Sequence, residues 1–205
     1  MSSKEDSTNK KRSRRRFITG LSSAAWAVGA GFAVTPFVLS MNPSERAKNA
    51  GAPVEFDYSK LQPGQMVKVE WRGQPVVVLR RTPEMMSGLS EVTDLLADPD
   101  SAGSVQPAYA LNEARADVDN NDVLVMLSVC THLGCSPVEK LAVGPDPEMG
   151  DDSKGGFFCP CHGSKFDLAG RVYKNVPANM NMNIPPYQYL SENVILIGED
   201  SARAS

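Results

Sequence analysis

The 205-residue sequence predicts a mostly β domain carried on a single N-terminal transmembrane helix. Three observations predict it. Residues 17–44 contain no charged side chain, and about 20 such positions, at ~1.5 Å rise each, already cross a hydrocarbon core of about 30 Å. Beyond residue 53 the chain breaks into short runs rich in Val, Ile, Phe, Tyr and Trp, separated by Gly, Pro, Asn and Asp. Only one stretch there, Ser87–Ala97, spaces its apolar residues (Leu89, Val92, Leu95, Leu96) in a near-helical way, and Asp98-Pro99 ends it.

Residues 1–16 carry seven Lys/Arg against Glu5 and Asp6, a local charge of +5 in a chain whose net charge is −3. Cations ahead of an apolar span stay cytoplasmic, which puts everything after Met41 on the opposite face of the membrane. The remaining chain is acidic and offers no footprint for nucleic acid. Ser13-Arg14-Arg15-Arg16-Phe17-Ile18-Thr19 resembles the twin-arginine export signal, an address used by proteins that fold around a cofactor before translocation. Residues 1–16 therefore read as a cytoplasmic basic arm and residues 17–41 as the anchor. A cleaved secretory signal is the alternative, disfavoured because the apolar run exceeds the ~7–15 residues of a signal core.

Residues 42–53 (NPSERAKNAGAP) are polar, rich in Ala, Gly and Pro and without periodicity, as in a flexible tether. The domain then occupies residues 54–205. Strands are expected at Val54–Tyr58, Val67–Trp71, Val76–Leu79, Val123–Val129, Gly156–Cys159, Arg171–Tyr173 and Val194–Ile197, with a hairpin turn at Arg72-Gly73-Gln74-Pro75. Residues 143–156, rich in Gly, Pro and Asp, read as an exposed loop.

All four cysteines and both histidines lie between positions 130 and 162, in two compact groups, Cys130-Thr-His132-Leu-Gly-Cys135 and Cys159-Pro-Cys161-His162-Gly-Ser164. Each group offers one Cys and one His at loop spacing, plus a further Cys. Two thiolates and two imidazoles suit one tetrahedral zinc, or the two irons of a [2Fe-2S] cluster with thiolates on one iron and imidazoles on the other.

CTHLGC and CPCHGS are similar, almost letter for letter, to the paired loops of the Rieske iron-sulfur subunits of proteobacterial cytochrome bc1 complexes (ubiquinol-cytochrome c reductases). The resemblance implies an all-β Rieske domain of antiparallel sheets, with an inserted cluster-binding subdomain at about residues 122–173. It implies that Cys130 and Cys159 bind one iron and His132 and His162 the other, with Cys135 and Cys161 joined as a disulfide. It makes His162 the quinol contact and Leu133 a shield, with Gly134 and Gly163 allowing close backbone approach. Ser164 in such proteins bonds a bridging sulfide. Val176-Pro177-Ala178 resembles the proline loop that covers the cluster in such proteins.

The activity so implied is transfer of one electron, with a proton, from ubiquinol to cytochrome c1. The partners implied are the cytochrome b and cytochrome c1 subunits, in a dimeric complex of the bacterial inner membrane with the Rieske domain in the periplasm. Imidazole ligands make the centre less negative than four thiolates would, which raises its potential. A disulfide also fits an oxidising compartment.

Two departures stand out: the segment 136–158 between the loops is long, and Phe166 replaces the tyrosine whose hydroxyl bonds a cysteine sulfur in high-potential relatives. The competing reading within electron transfer is the small Rieske subunit of a periplasmic oxidase such as arsenite oxidase. A Rieske oxygenase is excluded, because both histidines are committed and none remains for a second, mononuclear iron.

Overall fold

The computed structural model of the chain describes residues 2–44 and 51–200. Two compact units, divided near residue 49, make up the molecule. In the first, one helix, α1 (Ser2–Ser40), runs without a break through the basic arm and the apolar segment. Its stretch Arg12–Ser40 has a mean hydropathy of 1.5 and no burial within the protein. At ~1.5 Å per residue it is roughly 43 Å long, more than a bilayer core requires. Pro36 lies inside it, removing one ladder N–H, and Thr35 Oγ1 donates to Gly31 O at 2.7 Å one turn earlier. Residues 45–50 of the expected tether lie outside the described residues.

Among the described residues, the second unit is built from nine strands in three antiparallel sheets of three. β1 (Val54–Asp57), β9 (Val194–Ile197) and β8 (Tyr187–Ser191) form one, in the order β1-β9-β8. β2 (Met66–Trp71), β3 (Gln74–Arg80) and β4 (Val123–Leu127) form the second. β5 (Val138–Lys140), β6 (Gly156–Cys159) and β7 (Ser164–Phe166) form the third, inserted in sequence between β4 and β8. β4 pairs with β3, so residues 123–127 belong to the second sheet and the inserted sheet follows them.

Val76, Val77, Val78 and Leu79 of β3 are all fully buried. A strand covered on both faces reads as a continuous apolar run, without the alternation of a half-exposed one. The β2–β3 turn is tighter than the expected Arg72–Pro75. Trp71 pairs with Gln74, leaving only Arg72 (φ 53) and Gly73 (φ 72) in the turn, the two positive φ values of a type I′ hairpin. The Arg72 guanidinium lies 4.5 Å over the Trp71 ring, which holds a side chain that the turn alone would leave loose.

The expected helix at Ser87–Ala97 is displaced. α2 spans Pro83–Glu91, because Thr82 Oγ1 accepts from Met85 N at 3.2 Å and caps the first turn, with Pro83 already fixed in a helical φ. A single turn of 3₁₀ helix follows at Thr93–Leu95. The expected strand at Arg171–Tyr173 is reduced to two isolated bridges, Phe166 with Val172 and Leu96 with Tyr173. β5 and β7 escaped the sequence reading because three residues are too few to show alternation, and β8 because Pro185-Pro186 precedes it.

Between the inserted sheet and the rest of the domain runs a buried turn, Asp167–Arg171. Asp167 Oδ1 accepts from Ala169 N and Arg171 N, and its Oδ2 accepts from Arg171 Nε at 2.7 Å. Three buried guanidiniums satisfy the surrounding carbonyls. Arg81 donates to Ala114 O and Leu168 O, and also to Asn121 O. Arg115 donates to Ala169 O and Met182 O, and Arg171 to Leu89 O. Burial lowers the Arg81 and Arg115 pKa values to about 10, so both remain cationic at neutral pH. The joint below the inserted sheet is thus polar, each guanidinium being bonded to backbone carbonyls through its terminal nitrogens while Arg81 Nε and Arg115 Nε have no partner, and it is this pairing that makes buried charge tolerable.

Candidate metal centre

The first cysteine group follows β4, and the second is the turn of the β6–β7 hairpin, where Cys159 pairs with Ser164. Both turns are closed in the same way. Gly134 N donates to Cys130 O at 2.9 Å and Gly163 N to Cys159 O at 2.9 Å, and both glycines sit at φ near +80°, a conformation that side chains disfavour. Two similar loops therefore face one another, each delivering a cysteine at its root and a histidine nearer its tip.

Burial divides the donors by chemistry. Cys130 and Cys159 are free and 2% exposed, whereas His132 is half-buried and His162 exposed. The two thiols are neighbours, and burial pushes the Cys130 thiol above its ordinary pKa, with the His132 backbone N–H opposing. The Cys130 proton is therefore held until a cation displaces it. The imidazole rings stand 4.9 Å apart, centre to centre, at 90°. His132 Nδ1 is buried with no hydrogen-bond partner, an orphaned lone pair of the kind a metal satisfies. Two converging thiols and two converging imidazoles, one with an inward nitrogen lacking a partner, fit a mixed-ligand [2Fe-2S] cluster.

Cys135 and Cys161 form a disulfide across the two loops, with Cα atoms 6.7 Å apart. Their sulfurs and that of Cys159 lie within 4.8 Å of one another, but sulfurs already bonded to each other are not thiolates, so this trio offers only one ligand. Ser164 is fully buried and accepts from Ala178 N at 3.1 Å, and its hydroxyl opposes the burial that raises the Cys130 thiol. Thr131 Oγ1 donates to Met180 O at 2.6 Å. The Val176–Met180 segment is therefore bonded to both site loops. The Thr131 contact was invisible in the sequence, since its partner lies 49 positions away. Leu133 is 71% exposed at the tip, so it does not belong to the core.

Phe166 is fully buried in β7, paired with Phe157. The expected loop at 143–156 connects β5 to β6, and ion pairs hold it: Lys140 of β5 binds Asp146 at 3.2 Å and Glu148 at 2.5 Å. Lys154 also binds Glu91 of α2 at 2.7 Å.

Fold and donor set together define a Rieske protein, and residues 53–188 match the family model described as the Rieske [2Fe-2S] domain. Residues 4–44 match a second model, described as the Ubiquitinol-cytochrome C reductase Fe-S subunit TAT signal. The ubiquinol-cytochrome c reductase iron-sulfur subunit of Allochromatium vinosum is 53% identical over 191 residues, covering 93% of this chain and 91% of the relative. The subunit of the same name from Bradyrhizobium diazoefficiens is 38% identical, covering 90% and 94%. A solved chain titled "Hyperthermophilic respiratory Complex III" is 28% identical, covering 87% of this chain and 98% of its own, at a TM-score of 0.45. The chain belongs to the family of ubiquinol-cytochrome c reductase iron-sulfur subunits.

Proposed function

We propose that the chain is the electron-transfer subunit of a cytochrome bc1 complex, accepting one electron, with a proton, from ubiquinol and delivering the electron to cytochrome c1. The split of the donor set carries the reading: two thiols are buried while two imidazoles meet at the surface. When bound, the cluster supplies one-electron chemistry at about −150 to +300 mV, well above the roughly −400 mV of plant-type all-cysteine centres.

In this reading Cys130 and Cys159 would hold one iron, and His132 and His162 the other. The exposed His162 presents its outer ring nitrogen to the quinol hydroxyl and takes up the proton there. Leu133 and Met180, exposed by 71% and 38%, give the tip apolar surface that excludes water from such a contact.

Cytochromes b and c1 are the partners proposed, in a dimeric complex of the bacterial inner membrane. Seven N-terminal cations favour a cytoplasmic N-terminus and hence a periplasmic domain, and a disulfide persists in that compartment. The match of residues 4–44 and the names of the relatives favour this complex over the small subunit of arsenite oxidase. Purification in mild detergent tests the assignment. Haem b and haem c should travel with the chain and ubiquinol should reduce its cluster, whereas a haem-free partner would refute it.

Phe166 bears on the potential. A tyrosine hydroxyl at this position, bonded to a ligand sulfur, stabilises the more negative reduced centre. A charge-assisted bond is worth ~1.5–3 kcal/mol, and its part-presence in both redox states leaves a difference of about 1 kcal/mol, or roughly 40 mV for one electron. Phe166→Tyr should therefore raise the potential by some tens of millivolts in voltammetry. An intact spectrum with no shift would show that the phenolic donor is immaterial here.

A further inference from the structure

Ser164 has one proton to give, and it is completely buried. Ala178 N–H already donates to its oxygen, which leaves the proton for another acceptor, and the strand pairing of Ser164 with Cys159 puts the serine beside the thiol pair. The direction of that proton thus depends on where residues 176–180 sit, and besides the Thr131 bond to Met180 O the segment is anchored through Asn181, the next residue along.

Asn181 is fully buried, and every polar atom of its side chain is used. Its Oδ1 accepts from Val172 N at 2.8 Å, and its Nδ2 donates to Asp98 O at 2.8 Å and Ser101 Oγ at 2.9 Å. Its backbone N donates to Ser104 Oγ at 2.9 Å. Ser104 in turn donates to Asp98 Oδ2 at 2.6 Å, and the same carboxylate gathers Ala102 N and Gly103 N. Ser101 adopts φ 56, a left-handed conformation that a non-glycine residue keeps only where its surroundings enforce it. Here Gln106 Nε2 holds its carbonyl at 2.9 Å while its hydroxyl meets Asn181. The 98–106 loop thus directs three hydrogen bonds and one strained residue at a single asparagine, yet contributes nothing to the donor set.

We propose that Asn181 is a positioning residue for the redox centre: anchored in the Asp98–Gln106 loop, it fixes Val176–Met180 so that Ala178 turns the Ser164 proton toward the cluster sulfurs. This deepens the Rieske reading and rests on it. A donor aimed at sulfur favours the reduced state and raises the potential. Loosening its support lowers the potential without touching a ligand.

The test is a double-mutant cycle on the solubilised full chain, read by voltammetry with electron paramagnetic resonance of the reduced cluster. Ser164→Ala lowers the potential, and Asn181→Ala lowers it by part of that amount. In the Ser164→Ala background Asn181→Ala produces no further fall. Ser104→Ala, which removes the acceptor for Asn181 N together with the Ser104–Asp98 hydrogen bond but leaves the Asn181 side chain intact, gives a smaller fall of the same sign, and its cycle with Ser164→Ala carries the comparison if Asn181→Ala fails to fold. Unchanged potentials in Asn181→Ala and Ser104→Ala, or equal falls with and without Ser164, overturn the proposal. Absence of a [2Fe-2S] signal from the unaltered chain would instead overturn the reading of the centre.

Discussion

Cys130→Ala and Cys159→Ala are each expected to abolish the iron-sulfur signal and reduce quinol-cytochrome c reductase activity to background. Each thiol is buried at the root of its loop and adjoins the other, so an alanine there leaves the iron they share with one protein ligand and a cavity that water cannot readily fill. The fold itself should survive, because the disulfide still ties the loops together and the β6–β7 pairing is unaffected. His162→Cys is expected to behave differently. It keeps a donor but adds a negative charge to the centre, and any cluster that forms should show a potential lower on the order of 100–300 mV, part of the gap between Rieske and all-cysteine centres. Iron content, far-ultraviolet circular dichroism and voltammetry separate these outcomes. A fully loaded Cys130→Ala or Cys159→Ala protein would remove that cysteine from the ligand set.

Loss of the Cys135–Cys161 bridge should have the second largest effect, on stability more than on ligation. The bridge joins two loops at a sequence separation of 26, for which chain-entropy estimates give about 3–4 kcal/mol, within the ~2–5 kcal/mol typical of native disulfides. Neither sulfur is a ligand, so Cys135→Ser should still accept a cluster when freshly loaded, with a mixed-ligand spectrum. It should then lose the cluster faster on warming, because nothing else joins the two tips covalently. A variant as heat-stable as the parent, or free thiols at both positions in active protein, would show that the bridge does not hold the site together.

The sequence made the site more legible than the scaffold, for physical reasons. Cysteine and histidine are scarce in this chain, so six such residues at loop spacing carry chemical information by identity alone. The long apolar run was equally plain, and α1 spans it. Placement of α2 failed by four residues because periodicity outweighed the Thr82-Pro83 cap. β7 was missed because three residues give no period, although it presents Ser164 and Phe166.

The positions that support the site were less visible still. Thr131, Asn181 and the three buried arginines act through partners tens of residues away, and no local pattern marks an asparagine whose hydrogen bonds close only in the folded domain. Asp167 and Arg171 are the exception, an i, i+4 acid–base pair within one turn, yet their surroundings read as a short strand.

The central claim is that two imidazoles and two thiolates share one binuclear centre at the surface tip of this domain. Pulsed electron paramagnetic resonance of the reduced full chain tests it most directly, because a nitrogen bound to iron couples to the unpaired electron. Two strong nitrogen couplings are predicted, one lost in His132→Cys and the other in His162→Cys wherever a cluster still assembles. A reduced iron-sulfur signal without nitrogen coupling, or one whose couplings survive both substitutions, would contradict the account.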